Sequence, residues 1–281
     1  MNDCGIDTLQ KSKRKAFGRR WECRYAAQKL GGTLLCEKDV PFKEKLHQYI
    51  ELQKRLISRE PGIEVRLNTE VTPGLASELA PDVILAAMGA RPLRPPIPGI
   101  DLPVVKMAED VYRDPALAGR NTVILGGGLV GMELAIYLSM LGKKCTIIEM
   151  TPRLNDGGNN LHGLAISTQL REQGIHVSIS TRAAEIREDG VLCEFTGEEP
   201  EPQAAYGFGL PNYTSDAKEG TKFYPADTVI CAAGMAPLRD ESLLLKDCAP
   251  EFYMIGDCVM PRNIWQATSS GHYIARDIGV F

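Results

Sequence analysis

Four residues near the middle of this 281-residue chain have the types and spacing to do chemistry together: Gly126, Gly128, Gly131 and Glu149. The first three fit G-x-G-x-x-G. They follow the β-type run Val123-Ile124-Leu125 and open an apolar helix over 132–141. A first glycine permits a tight turn, a second lets the backbone approach a pyrophosphate, and a third allows close helix–strand packing. The start of such a helix offers unpaired N–H groups and the positive end of its dipole to phosphates. Gly126, Gly127, Gly128, Leu129, Val130 and Gly131 are therefore candidate dinucleotide contacts. Glu149 closes the next strand, 23 residues after Gly126. A carboxylate there meets ribose hydroxyls and repels a 2′-phosphate, which favours NAD(H) over NADP(H). The plainer alternative is a glycine-rich βα turn that holds no ligand.

The elements around the loop alternate between strand and helix, as parallel sheets with helical cover require. The apolar stripe over 42–59 predicts a helix, stopped by Pro61-Gly62. Strands are predicted over 63–67 and 82–87. The proline-dense stretch 91–103 is too stiff for a helix or a central strand and reads as a crossing between domains. A helix over 161–173 and a strand over 175–179 follow. Asp189-Gly190 then marks a hairpin between 183–188 and 191–195. Residues 197–221 read as a long loop without a period. Strands over 227–233 and 252–255 and a closing helix over 264–278 complete the chain.

Two strand ends, 83–92 and 229–237, share one pattern: an apolar strand, small residues, a glycine (Gly89, Gly234) and a proline shortly after. Gly256-Asp257 ends a further strand. At the carboxyl edge of a sheet, an ionised Asp can accept hydrogen bonds from ligand hydroxyls. By itself it reads equally well as a turn or cap residue.

Composition narrows the class. The chain is 44% hydrophobic and 24% charged, ordinary for a globular protein, and its net charge of −4 gives no global case for nucleic acid or an anionic membrane. The first 30 residues are locally basic at +5, which reads as a solvated tail rather than a nucleic-acid arm. No apolar stretch has the length of a membrane span or a secretory signal. The eight cysteines, scattered from Cys4 to Cys258, have no zinc-knuckle or redox-dithiol spacing, and the four histidines have no metal-ligand spacing. Reduced thiols in a cytoplasmic protein are expected, with no metal site.

The order of these motifs resembles the two-dinucleotide-binding-domain flavoprotein reductases. In particular it resembles the C-terminal reductase part of the 2,4-dienoyl-CoA reductase and 2-enoate reductase group, which includes bile-acid-inducible enoate reductases. The likeness is carried over about 31–281 by Gly31-Gly32-Thr33-Leu34, the 87–92 turn, "PPIPGID", the 126–131 loop with Glu133, the 230–234 turn, and Gly256-Asp257 with "ATSSG" behind it. It implies an α/β architecture in which a Rossmann-like NAD domain, 106–235, is inserted into an FAD-binding domain made of 31–105 and 236–281. On that basis Gly89, Arg91, Gly234, Gly256, Asp257, Ala267 and Thr268 join the cofactor-contacting set. Asp257 would bond the FAD ribityl or phosphate region, and Ala267-Thr268 would lie near the isoalloxazine.

The chain departs from that pattern at its start. No β run and no G-x-G-x-x-G precede Gly31, so the FAD site is expected to be incomplete. The stretch "WECRYAAQKLGG" is read as what is left of the family's first helix, with the second strand deleted and 1–30 atypical. The TIM barrel of the larger family members has no counterpart here, so a separate flavin-containing barrel is an expected partner beside the nucleotides. The implied activity is hydride transfer from NADH to FAD, with no protein acid–base residue assigned as catalytic. The competing expectation is a truncated, non-catalytic NAD-binding piece unable to hold FAD.

Overall fold

The computed structural model describes residues 20–154, 160–200, 204–205, 208–209 and 212–278. Residues 1–19, with most of the basic run expected at the start of the chain, lie outside them. The chain divides into two compact units: the residues up to Arg91 together with those from Met235 onward, and Pro92–Gly234.

The second unit is built on a five-stranded parallel sheet. Its order is Val105–Met107, Thr228–Cys231, Asn121–Leu125, Lys144–Ile148 and His176–Ser178. The register places Ile230 beside Ile124 and Ile124 beside Ile147. All three side chains are fully buried, as a parallel sheet covered on both faces demands. The helix Leu129–Met140 is apolar on nearly every side and is accordingly buried from Gly131 to Leu138. A second, antiparallel sheet runs Thr221–Pro225, Gly190–Phe195, Thr181–Arg187. Its Ile186, Val191, Cys193 and Tyr224 share one core with Val123, Leu125, Ile148 and Val229 of the parallel sheet.

The first unit contains two parallel pairs, Trp21–Arg24 with Ile63–Arg66 and Val83–Ala86 with Glu251–Met254. Its helices include Glu44–Ser58, which buries Ile50, Gln53 and Ile57. The closing helix, Ile264–Asp277, is capped by the Asn263 side chain, which accepts from the Gln266 N–H at 3.0 Å. The strands here are only half-buried: no residue of Ile63–Arg66 or Glu251–Met254 is fully covered.

Three expectations are corrected. Trp21–Arg24 is a strand, not a helical remnant. Trp21, Cys23 and Tyr25 alternate with Glu22 and Arg24, and the first three pack with Ile57, Ile63 and Val65. That period of two is a strand signal, and the strand pairs in parallel with Ile63–Arg66. Next, the polypeptide passes between units at Arg91/Pro92, ahead of 105/106. The proline-rich crossing belongs to the second unit, because Ile97, Ile100, Leu102 and Val104 pack on its core. Finally, the stretch 197–221 is not wholly irregular. It contains a short antiparallel pair, Ala204–Ala205 with Phe208–Gly209, and its last residue, Thr221, opens a strand that borders Gly190–Phe195.

Candidate dinucleotide and flavin sites

In the second unit the expected loop residues converge at one strand end. Gly126 has φ +120 and donates its N–H to the Ile148 carbonyl at 2.9 Å. A Cβ on Gly126 would lie 2.3 Å from the Ala232 carbonyl oxygen, and one on Gly131 would lie 2.0 Å from the Gly126 carbonyl oxygen. These two glycines let three backbone segments touch. Gly128 differs: a Cβ there would meet nothing within 4 Å. The space in front of it is open, as a group approaching from outside requires.

The helix that starts after Gly128 has no side-chain cap. Its leading N–H groups, at Gly128, Leu129, Val130 and Gly131, have no intrahelical acceptor and carry the positive end of the dipole. An anionic diphosphate would supply the missing acceptors. Tyr112, buried and stacked on Tyr137 at 6.4 Å, donates its hydroxyl to the Val130 carbonyl at 3.1 Å and steadies this first turn. Met132 donates back to the Gly128 carbonyl at 3.0 Å.

Glu149 lies at the end of its strand, as expected, but its carboxylate is buried and already engaged. One oxygen accepts from the Gly127 N–H at 2.6 Å; the other accepts from the Thr151 N–H at 2.7 Å and hydroxyl at 2.8 Å. A carboxylate has about four lone-pair sites, so room remains for one more donor, such as a ribose hydroxyl. The sequence reading missed Thr151; a hydroxyl residue two places after a strand-end acid was the available signal. It also missed Leu154, whose Cδ2 lies 2.5 Å from where a Cβ on Gly127 would be. Gly234, with φ +102, closes the neighbouring strand and accepts from the Leu93 N–H at 2.9 Å. Glu133, inside the loop helix, lies 3.4 Å from His162.

In the first unit Gly89 has φ +76 and accepts from the Leu238 N–H at 3.0 Å. Arg91 pairs with Glu241 at 2.6 Å, an exposed bridge that occupies its guanidinium. Gly256, φ +68, donates to the Ser270 hydroxyl at 3.0 Å. Burial pushes the Asp257 carboxyl above the usual range, opposed by one long hydrogen bond at 3.4 Å from the Arg262 N–H. Ala267 lies beside Gly256, 3.9 Å from where a Cβ on that glycine would sit. The Thr268 hydroxyl turns back to the Ile264 carbonyl at 2.9 Å. Gln266 Oε1 is buried on the same helix without a hydrogen-bond partner. A buried carboxylate with one long hydrogen bond and an amide oxygen without a partner each fit a ligand that brings donors, as the hydroxyls and ring N–H of a flavin do.

Elsewhere, burial pushes the Cys145 and Cys193 thiols up to about 12, which keeps them protonated. Among the described residues no group of three or more His, Cys, Asp or Glu could hold a metal ion, and no helix is long and apolar enough to cross a membrane.

With this geometry in place, comparison with known proteins defines the class. Residues 41–272 match the family model described as pyridine nucleotide-disulphide oxidoreductase. The chain belongs to that family, whose members and relatives use NAD(H) and FAD. The NADH oxidase of Thermoanaerobacter brockii is 30% identical over 262 residues, covering 89% of this chain and 36% of that protein. The cinnamate reductase of Clostridium sporogenes is 26% identical over 253 residues, covering 89% and 34%. The chain thus spans about a third of the length of these curated relatives. In structure it resembles a 2-naphthoyl-CoA reductase, with a TM-score of 0.80 at 24% identity, over 98% of this chain and 38% of the other. It also resembles the thioredoxin reductase of T. acidophilum, with a TM-score of 0.65 at 16% identity, over 97% and 93%. At these identities the two structures establish the α/β fold alone.

The glycines separate fold from binding. Gly128→Val is expected to melt close to the unmodified protein and to lose nicotinamide nucleotide binding. Gly131→Ala is expected to lower the melting temperature, because its Cβ meets backbone. Calorimetric melts and nucleotide titrations on both variants check this.

Asp257 gives a pH prediction. Its folded-state pKa is raised, so ionisation opposes folding. That penalty is absent below the unfolded pKa and complete above the folded one. Asp257→Asn is expected to raise the melting temperature at neutral pH and leave it unchanged near pH ~3, below the ordinary Asp value. Thermal melts at the two pH values decide it.

Proposed function

We propose that the chain is an NADH-dependent flavoprotein oxidoreductase module that passes hydride from NADH to FAD, akin to the reductase part of 2,4-dienoyl-CoA and 2-enoate reductases. The observation that carries this reading is the uncapped helix behind open Gly128, with Glu149 buried at the adjacent strand end. Gly126 to Gly131 hold the diphosphate, Gly234 borders the same strand ends, and Glu149 meets the adenosine ribose. Gly89, Arg91, Gly256, Asp257, Ala267 and Thr268 belong to the flavin side. Bound nicotinamide and flavin supply the redox chemistry; the chain's own residues bind, orient and shield, and none acts as an acid or base. The length of its relatives and of the 2-naphthoyl-CoA reductase supports a further domain or protein, a flavin-containing barrel, as the electron acceptor. A cytoplasmic setting is in keeping with seven unbridged cysteines among the described residues.

A second reading rests on the first unit's half-buried strands: an NAD-binding piece that does not retain FAD. A large, flexible cofactor is held only if its contacts offset several kcal/mol of immobilisation, on the order of 4 or more. On this second reading the purified chain would show little absorbance at about 450 nm, the flavin band, after dialysis. NADH oxidation with added FAD should barely exceed the free-flavin rate. Stoichiometric, dialysis-resistant FAD with rapid bleaching by NADH would eliminate this second reading and leave the full reductase module.

The chain is expected to bind NADH in preference to NADPH. Glu149→Ala should weaken both, since Gly127 loses its acceptor, and should narrow the ratio by about 1–3 kcal/mol, the cost range of an unpaired buried group. Parallel titrations of both nucleotides test this, and equal affinities in the unmodified protein would refute the NADH assignment.

A further inference from the structure

Glu149 is more than a charge at a strand end. Its carboxylate spans two loops, with one oxygen on the glycine turn through the Gly127 N–H and the other on the segment behind it through two donors of Thr151. That segment is itself pinned to the sheet edge. The Glu149 N–H donates to the Ser178 carbonyl and its carbonyl accepts from Thr181, both at 2.9 Å; the Thr151 carbonyl accepts from Ser180, also at 2.9 Å. The carboxylate is thus a strut with a fixed base and a free end, and the free end holds the glycine turn.

The strut decides where the loop's amides point. The Gly126 N–H is bonded to Ile148 and the Gly127 N–H to Glu149, which leaves Gly128 through Gly131 to face a ligand. If the carboxylate swings away, Gly127 regains an unpaired buried N–H. Its peptide then rotates to find an acceptor, and the next amide moves with it. Leu154 and the Cβ and Cγ of Glu149 itself lie where a Cβ on Gly127 would be.

The orientation of the carboxylate in turn depends on Thr151. Its hydroxyl lies 2.8 Å from Glu149 Oε1 and 2.7 Å from the Arg153 carbonyl, and it has one hydrogen for two acceptors. A charged acceptor forms the stronger bond, so the hydrogen goes to the carboxylate. The methyl and hydroxyl of Thr151 are otherwise exposed and fill no core.

We infer that Thr151 is a positioning residue for nicotinamide dinucleotide binding: its hydroxyl and N–H orient Glu149, which in turn aims the 128–131 amides. This rests on the NADH reading above, and the test separates the two. In the full chain, Thr151→Val keeps shape and N–H but removes the hydroxyl; Thr151→Ser keeps the hydroxyl. NADH and NADPH are titrated into both, with Gly128→Val as the control for the loop itself.

Thr151→Val is expected to weaken NADH binding about three- to tenfold, the range for losing one ordinary hydrogen bond. It should also narrow the NADH/NADPH ratio at an unchanged melting temperature. Thr151→Ser is expected to restore both values. Unmodified NADH affinity in Thr151→Val, with binding lost in Gly128→Val, overturns the strut and keeps the loop. Failure of Thr151→Ser to restore affinity also overturns it, since shape rather than the hydroxyl would then be responsible. Normal binding in Gly128→Val removes the loop reading itself. If Thr151→Val does not fold, Thr151→Ala removes the same hydroxyl without the branched side chain and gives the same readout.

Discussion

Everything in the second unit is arranged around a contact that only glycine permits. At Gly126 and Gly131 the strand Asn121–Leu125, the helix Leu129–Met140 and the end of Thr228–Cys231 come within backbone contact distance, with no room for a Cβ. The contact fixes where the helix begins and therefore where its four unpaired amides point. Those amides cannot be buried without acceptors, so the helix start remains at a surface. The parallel sheet beneath, with Ile124, Ile147 and Ile230 fully covered, makes the arrangement rigid. Fold and candidate site are one constraint seen from two sides.

The two units differ in how completely they satisfy the same rule. Parallel strands are stable when both faces are covered. Thr228–Cys231 is buried at every position, whereas Glu251–Met254 is only partly buried at every position. Transfer of apolar surface contributes roughly 25 cal/mol per Å², so the first unit derives less stability per strand than the second. Its Ile84, Leu85 and Phe252 have the composition of core residues without their burial. Cofactor or protein contacts that cover such strands stabilise the unit by mass action. This links flavin retention to the folding of the first unit more than to any single side chain.

Sequence made the local features legible and the tertiary ones not. Gly126, Gly128, Gly131 and Glu149 were readable because loop, helix and strand lie within 24 residues and each position has a steric or electrostatic job. The hairpin at Asp189-Gly190 was readable for the same reason. The crossing over 91–103 was readable from its prolines, but its side was not, because nothing local shows that Ile97, Ile100, Leu102 and Val104 pack on a core contributed largely by residues 123–229. Trp21–Arg24 was misread because four residues carry only two alternations, and the family pattern places a helix ahead of the Gly31-Gly32 pair. The strand Thr221–Pro225 was obscured by the polar, glycine-containing stretch before it. Its pairing with Gly190–Phe195 comes from the hairpin's open edge, which needs a neighbour.

The polar groups of the two candidate sites are poised differently. Glu149 is buried with three donors on its carboxylate, so its oxygens are held in place before any ligand arrives. Asp257 is held above the usual carboxylate range by burial, with one long hydrogen bond, and Gln266 Oε1 nearby in sequence has no partner. Preorganised acceptors select among ligands by what they repel, and under-satisfied ones by what they lack. The first arrangement suits discrimination between NADH and a nucleotide carrying an extra phosphate. The second suits retention of a donor-rich group, because the bound group removes a penalty that the free protein bears. On the proposed reading, specificity for the nicotinamide nucleotide would be built into the folded second unit, whereas affinity for flavin would grow with how fully the first unit's buried polar atoms find donors.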